Sequence, residues 1–156
     1  MRMGRKKFFG IAVVILVIAW DILVFTQFST YGNMYSLADE EILADYPEEH
    51  HTMGYSSSIL DNRELEARML LMCGNSSICN LTSTQQATME LSVDRNWGKG
   101  RLLLKNQESG EICSVPLENG DTEIGLDTGK YQVFLTGKWF GGNLTLKSDD
   151  ILFYAE

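Results

Sequence analysis

The chain has 156 residues, with 13 Lys/Arg against 21 Asp/Glu, a formal net charge of −8, 44% hydrophobic residues, three Cys and two Pro. That length holds one ordinary domain and an accessory segment. Past residue 28 the acidic excess deepens to nine basic against twenty acidic side chains, which argues against a nucleic-acid partner and against a domain lying flat on anionic lipid.

Residues 1–7, MRMGRKK, place Arg2, Arg5, Lys6 and Lys7 ahead of an apolar run from Phe8 to Phe28 whose one charge is Asp21. Twenty-one residues at 1.5 Å each give roughly 30 Å of helix, the thickness of a bilayer's hydrocarbon core. No A-x-A pattern precedes Ser29 and no cysteine follows the run to take a lipid, so an uncleaved signal-anchor helix over 8–28 is favoured over a cleaved signal peptide. The four cations ahead of the span predict a cytoplasmic N-terminus, a single pass through the cell membrane and an exported remainder. Asp21, beside the interfacial Trp20, either snorkels outward or contacts a basic or polar residue of a partner helix.

Residues 29–62 carry seven acidic residues and no Lys/Arg, which predicts an acidic stalk extended by like-charge repulsion. Ser36 with Asp39 three residues on resembles a capping box, so a short helix from Leu37 to about Asp45 is expected, ending before Pro47. Glu48-Glu49-His50-His51 is the one histidine cluster. Its residue types suit Zn²⁺ or Cu²⁺, but a flexible segment offers no supporting shell, so a solvated loop without metal or cofactor is expected.

From residue 63 to 156 the pattern has a period of two. In ATMELSVD, 87–94, Ala87, Met89, Leu91 and Val93 share one face, as in a strand with one wet side. ELEARMLLMC, 64–73, reads as a first strand. RLLLK, EICSVPL, TEIGL, KYQVFLTG, NLTLK and ILFYA continue the series, separated by turn chemistry in RNWGKG, NQESG and Asn119-Gly120. Short strands at this spacing predict an all-β antiparallel sandwich rather than βαβ units. Cys73 and Cys79 in CGNSSIC could close a small disulfide loop or remain buried thiols, with Cys113 the third cysteine.

Leu126, Gly129 and Tyr131 have the form L-x-x-G-x-Y, which resembles the tyrosine corner of Greek-key sandwiches. Over about residues 85–147 the chain is similar to small immunoglobulin-like or carbohydrate-binding-like domains of exported, membrane-tethered proteins of the Gram-positive kind. The resemblance implies a fold and carries no catalytic residues. Trp139 and Phe140 stand before Gly141-Gly142; in a regular strand they face opposite ways and cannot both be core, so packing in the core or as an end cap is favoured over contact with a ligand, in which Trp97 would join them if it lies at the same end. Asp94, Glu111 and Asp127 are not spaced to single out an acid–base pair, and no nucleophile elbow is present. The leading expectation is therefore a membrane-anchored, non-enzymatic binding or adhesion module for a glycan or surface protein. The alternatives are an accessory subunit of a membrane complex and a small exported hydrolase. Asn75, Asn80 and Asn143 open N-x-S/T sequons, meaningful only in a eukaryotic secretory route.

Overall fold

The structure, a computed structural model, describes residues 5–155, with side chains from residue 13 onward. Arg2 of the basic tail and the side chains of Arg5, Lys6 and Lys7 lie outside the described part. Helix α1, Arg5–Gly32, is continuous over 28 residues. Its stretch from Val13 is long and apolar enough to cross a membrane, with mean hydropathy 2.0 and 6% of the window buried. The side chains from Val13 to Leu23 are bare, whereas Phe28 is buried, so among the described side chains the helix meets the rest of the protein in its last two turns.

A 3-10 turn, Asn33–Ser36, leads to α2, Asp39–Asp45. The short helix falls where the sequence suggests and ends at Tyr46, before Pro47. Ala38 rather than Ser36 is its N-cap, without a side-chain bond, and Asp39, Glu40 and Glu41 in the first turn complement the helix dipole. Segment 29–62 does not stand off as an acidic stalk. Ile42 and Leu43 are buried against Leu103 and Phe134, at roughly 1.5–3 kcal/mol per apolar side chain. Strands β1, His50–Met53, and β2, Ser56–Leu60, both pair with the first long strand. Most of the negative charges stay on the wet side, Asp39 is drawn in by Arg101, and two apolar residues hold the segment down.

Three long antiparallel strands form the frame: β3, Glu64–Ser83; β4, Ala87–Asn106; and β7, Gly129–Lys147. The sequence suggests two short strands for each of β4 and β7, and for β3 one strand ending at Cys73. β7 lies between β3 and β4, and the register slips between Met69 and Gly74 in β3 and between Arg95 and Lys99 in β4. These irregularities line up across the frame as one bend. On one side run β2, β3, β7, β4 and β6, Gly120–Leu126. On the other run β1 and β8, Ile151–Tyr154, then β3, β7, β4 and β5, Ile112–Pro116. The two halves share one core: Leu65, Met89 and Leu146 from the first belong to the same buried cluster as Leu104, Val133 and Phe153 from the second. The fold is mostly antiparallel β, and its halves close on each other as a sandwich. An immunoglobulin-like arrangement, in which the two sheets use separate strands, is not what this ladder shows. Asn119-Gly120 is not a hairpin either, since β5 and β6 lie end to end along β4.

The bend explains a parity change in the sequence. In β7 the core residues are Tyr131, Val133 and Leu135 before it, then Phe140, Leu144 and Leu146 after it. One extra residue resets the alternation, as a bulge does. That residue is Trp139, whose φ of +56° is a left-handed backbone rare for a bulky side chain. In β4 the core parity likewise passes from Leu91 and Val93 to Leu102 and Leu104. Gly98, at φ +73°, lets the two bulges touch, because a Cβ there would collide with the Trp139 carbonyl.

Candidate functional site

The bend is also where α1 lands. Trp139 stacks on Phe25, with centroids 5.4 Å apart and planes 27° off parallel, and on Phe28 at 5.5 Å and 20°. Phe28 meets His51 edge-on at 4.5 Å, and His51 lies parallel to Tyr31 at 6.2 Å. The Trp139 backbone N–H donates to Cys73 Sγ at 3.1 Å. Burial pushes the Cys73 thiol upward, opposed by that hydrogen bond and the Lys138 charge. The result is a continuous stack of rings joining helix to sandwich.

This arrangement reassigns several residues. Phe140 is fully buried in the core, so it cannot form the lip of a ligand site. Trp139 turns outward onto α1, its ring engaged by two phenylalanines. Trp97 is 50% exposed and lies in the same bend, over Gly141. His50 and His51 are consecutive on β1 and so point to opposite faces. They cannot converge on one ion, and among the described residues no group of three His, Cys, Asp or Glu converges. Cys73 and Cys79 are both buried on β3 and no disulfide joins them. Six positions apart on one strand they lie far beyond disulfide reach, so of the two alternatives the buried thiols hold and the small loop gives way to a ladder. The Tyr131 hydroxyl donates to the Asp127 carbonyl at 3.1 Å, with buried Leu126 and Gly129 flanking that turn. Asp21 precedes Phe25 by four residues and Phe28 by seven, which places it on the helix face that docks the sandwich.

Sequence reasoning did not single out Phe25, Phe28 and Tyr31. Their signal is the i, i+3, i+6 spacing of aromatics at the end of an otherwise aliphatic span. It also passed over Arg101, which bridges Asp39 Oδ1 at 2.9 Å, donates to the Leu37 carbonyl at 2.9 Å and sits 4.9 Å over the Tyr35 ring. Two of the open surfaces bear on a binding role. One is a groove of about 440 Å³ on the outer face of the first half, where the polar side chains of Ser56, Glu66, Arg68, Asn143 and Thr145 are joined by apolar surface that includes Ala67 and Leu144. The other is a trough of about 340 Å³ along α1 that includes Ala19, Leu23, Thr26, Gln27 and Thr30.

No family model matches the chain, and no curated protein matches it. Solved structures give distant likenesses. The Drosophila melanogaster CENP-C structure bound to CAL1 has a TM-score of 0.40 at 10% identity, over 84% of this chain and 99% of that one. A family 29 carbohydrate-binding module complexed with mannohexaose has a TM-score of 0.34 at 12% identity, over 70% and 83%. A carbohydrate-binding module in complex with β-1,4-galactotriose has a TM-score of 0.30 at 12% identity, over 76% and 79%. The expected kinship with Gram-positive exported proteins finds no support among these.

Proposed function

We propose that this is a single-pass membrane protein, N-terminus in the cytoplasm, that displays its sandwich outside the cell as a non-enzymatic binding module for a polar ligand, a glycan or a surface protein. The observation that carries this reading is the division of α1: bare and apolar from Val13 to Leu23, locked onto the bend from Phe25 to Gly32. That division fixes which surfaces are free. The bend faces the bilayer, α2 covers one outer face, and the groove is left open sideways. Hydroxyls, an amide and the opposed charges of Glu66 and Arg68 line it, a set suited to a ligand rich in hydrogen-bonding groups. The test is retention of the nanodisc-embedded chain on glycan and surface-protein arrays, with Arg68→Ala/Asn143→Ala as the variant. Loss of retention at unchanged melting temperature supports the groove; retention by neither array contradicts the binding-module reading.

A second reading, an accessory subunit of a membrane complex, is favoured by the trough on α1. It brings Ala19, Thr26 and Thr30 together on the helix side turned away from Phe25 and Phe28, and small and hydroxyl residues suit close helix–helix contact. Detergent pull-down of a membrane partner, lost on Thr26→Leu/Thr30→Leu, distinguishes it.

A further inference from the structure

We infer that the bend of the sandwich is a lipid-contacting rim, seated in the headgroup region of the outer leaflet beside the emerging helix. This rests on the membrane-anchoring reading and goes beyond it, because a tethered domain need not touch lipid.

Depth is fixed by the ring stack. If Phe8 to Phe28 fill the hydrocarbon, Phe25 and Phe28 stand at its outer boundary, and Trp139, stacked on both, stands there with them. Trp139 belongs to the bend, and the bend is one end of the sandwich. The long strands run from it to the far end, where the turns at 61–63, 84–86, 107–111, 127–128 and 148–150 gather. The domain therefore stands on its bend.

The chemistry of that end fits an interface. Met53, Tyr55, Leu70 and Trp97 are each between 43% and 51% exposed. They are neighbours: Met53 pairs with Leu71, the Leu70 side chain lies over Gly54, and Trp97 packs over Gly141 beside the Leu70 carbonyl. Large apolar and aromatic side chains left in water at one end are costly, whereas Trp and Tyr favour the headgroup layer. Lys99 and Lys138 are direct cross-strand partners at the same bend. Two like charges in that position repel, and among the described residues the ion pairs involve Arg63, Arg95 and Arg101 instead. Lipid phosphates on either side would relieve the repulsion, while the lysine stems lie along the apolar rim. Glu118 at this bend is taken by Arg95, which leaves the two lysines beside the exposed apolar rim.

The test uses the full chain in phosphatidylcholine vesicles containing lipids brominated at shallow acyl positions. With Trp20→Phe and Trp139→Phe, the latter keeping the stack, Trp97 is the sole indole. The expected result is a blue shift of its emission relative to the detergent-free unfolded chain and strong quenching by the bromolipid. Emission at the wavelength of water-exposed Trp, quenched by iodide and indifferent to bromolipid, overturns the proposal. A companion chain with Trp20 alone, in vesicles whose lipids are brominated deep in the acyl chain, separates the two claims: quenched Trp20 with unquenched Trp97 sinks only the rim, and unquenched Trp20 sinks the anchor. A nitroxide on Leu70→Cys in a Cys113→Ser background gives a second reading without altering any tryptophan. Greater collision with oxygen than with an aqueous nickel chelate is expected, and the reverse order contradicts the rim.

Discussion

The indole of Trp139 and the ring of Phe28 lie 5.5 Å apart and nearly parallel, although 111 positions separate them in the chain. Trp139 reaches that place only by taking a left-handed backbone, which costs of order 1–3 kcal/mol at a bulky residue. The stack has to outweigh that cost. Trp139→Ala should lower stability by about 2–4 kcal/mol, through lost burial and two lost ring contacts. Trp139→Gly should be no worse than the alanine variant, since glycine accepts positive φ freely. Denaturant midpoints in micelles check the order, and faster proteolysis within 29–36 should accompany both variants as helix and sandwich uncouple.

Arg101 does for α2 what Trp139 does for α1. Its guanidinium holds Asp39, the Leu37 carbonyl and the Tyr35 face together, a geometry an ammonium cannot copy. Arg101→Lys should therefore cost about 1–3 kcal/mol despite keeping the charge. Hydrogen exchange should accelerate over 39–45, where Ile42 and Leu43 cover Leu103 and Phe134. Unchanged exchange there would mean α2 is held by its apolar contacts alone.

Asn75 is fully buried. Its amide donates to the carbonyls of Tyr46 at 3.2 Å and Pro47 at 3.0 Å, and its Oδ1 accepts from Thr136 at 2.8 Å. Asn75→Asp removes both donations and buries a charge, so a loss of about 2–4 kcal/mol is expected. The same burial closes the sequon. Expressed through a eukaryotic secretory route, the folded chain should carry sugar at Asn80 or Asn143 and none at Asn75, which glycopeptide mass spectrometry reads directly.

Strand positions were legible wherever alternation ran unbroken, as in 87–93 and 143–147. What could not be read was their continuity. A bulge that shifts core parity by one residue, with glycines around it, looks like a turn in RNWGKG and in KWFGG, so β4 and β7 read as separate short strands, while the part of β3 beyond Cys73 does not read as strand. The acidic stalk was misread because charge dominates 29–62 and hides Ile42 and Leu43. A signal did exist: RLLLK and VFL are apolar on both sides of their strands, which requires a cover on the outer face. Of the site, Trp139 was singled out and packing was favoured for it over ligand contact, but the surface it packs on was sought within the sandwich. Nothing local in KWF points to a helix more than a hundred residues upstream.

The cysteines supply a pH dependence. Burial raises the Cys73 thiol above its ordinary value of 9.0, so the folded chain keeps a proton that the unfolded chain gives up. The associated stability is whole below that value and is lost as pH climbs through the raised folded value. Midpoints measured across the alkaline range should therefore fall, and Cys73→Ala should flatten the slope. In the unreduced denatured chain all three thiols should react with maleimide, consistent with Cys73 and Cys79 lying apart on β3.

Cys113 is the one exposed cysteine, on β5 in the half of the sandwich covered by α2. It reports which side of the membrane the domain occupies without any substitution. Intact cells treated with a membrane-impermeant maleimide should label the chain at Cys113 as fully as permeabilised cells do. Labelling that appears only after permeabilisation would put the sandwich inside and contradict the account.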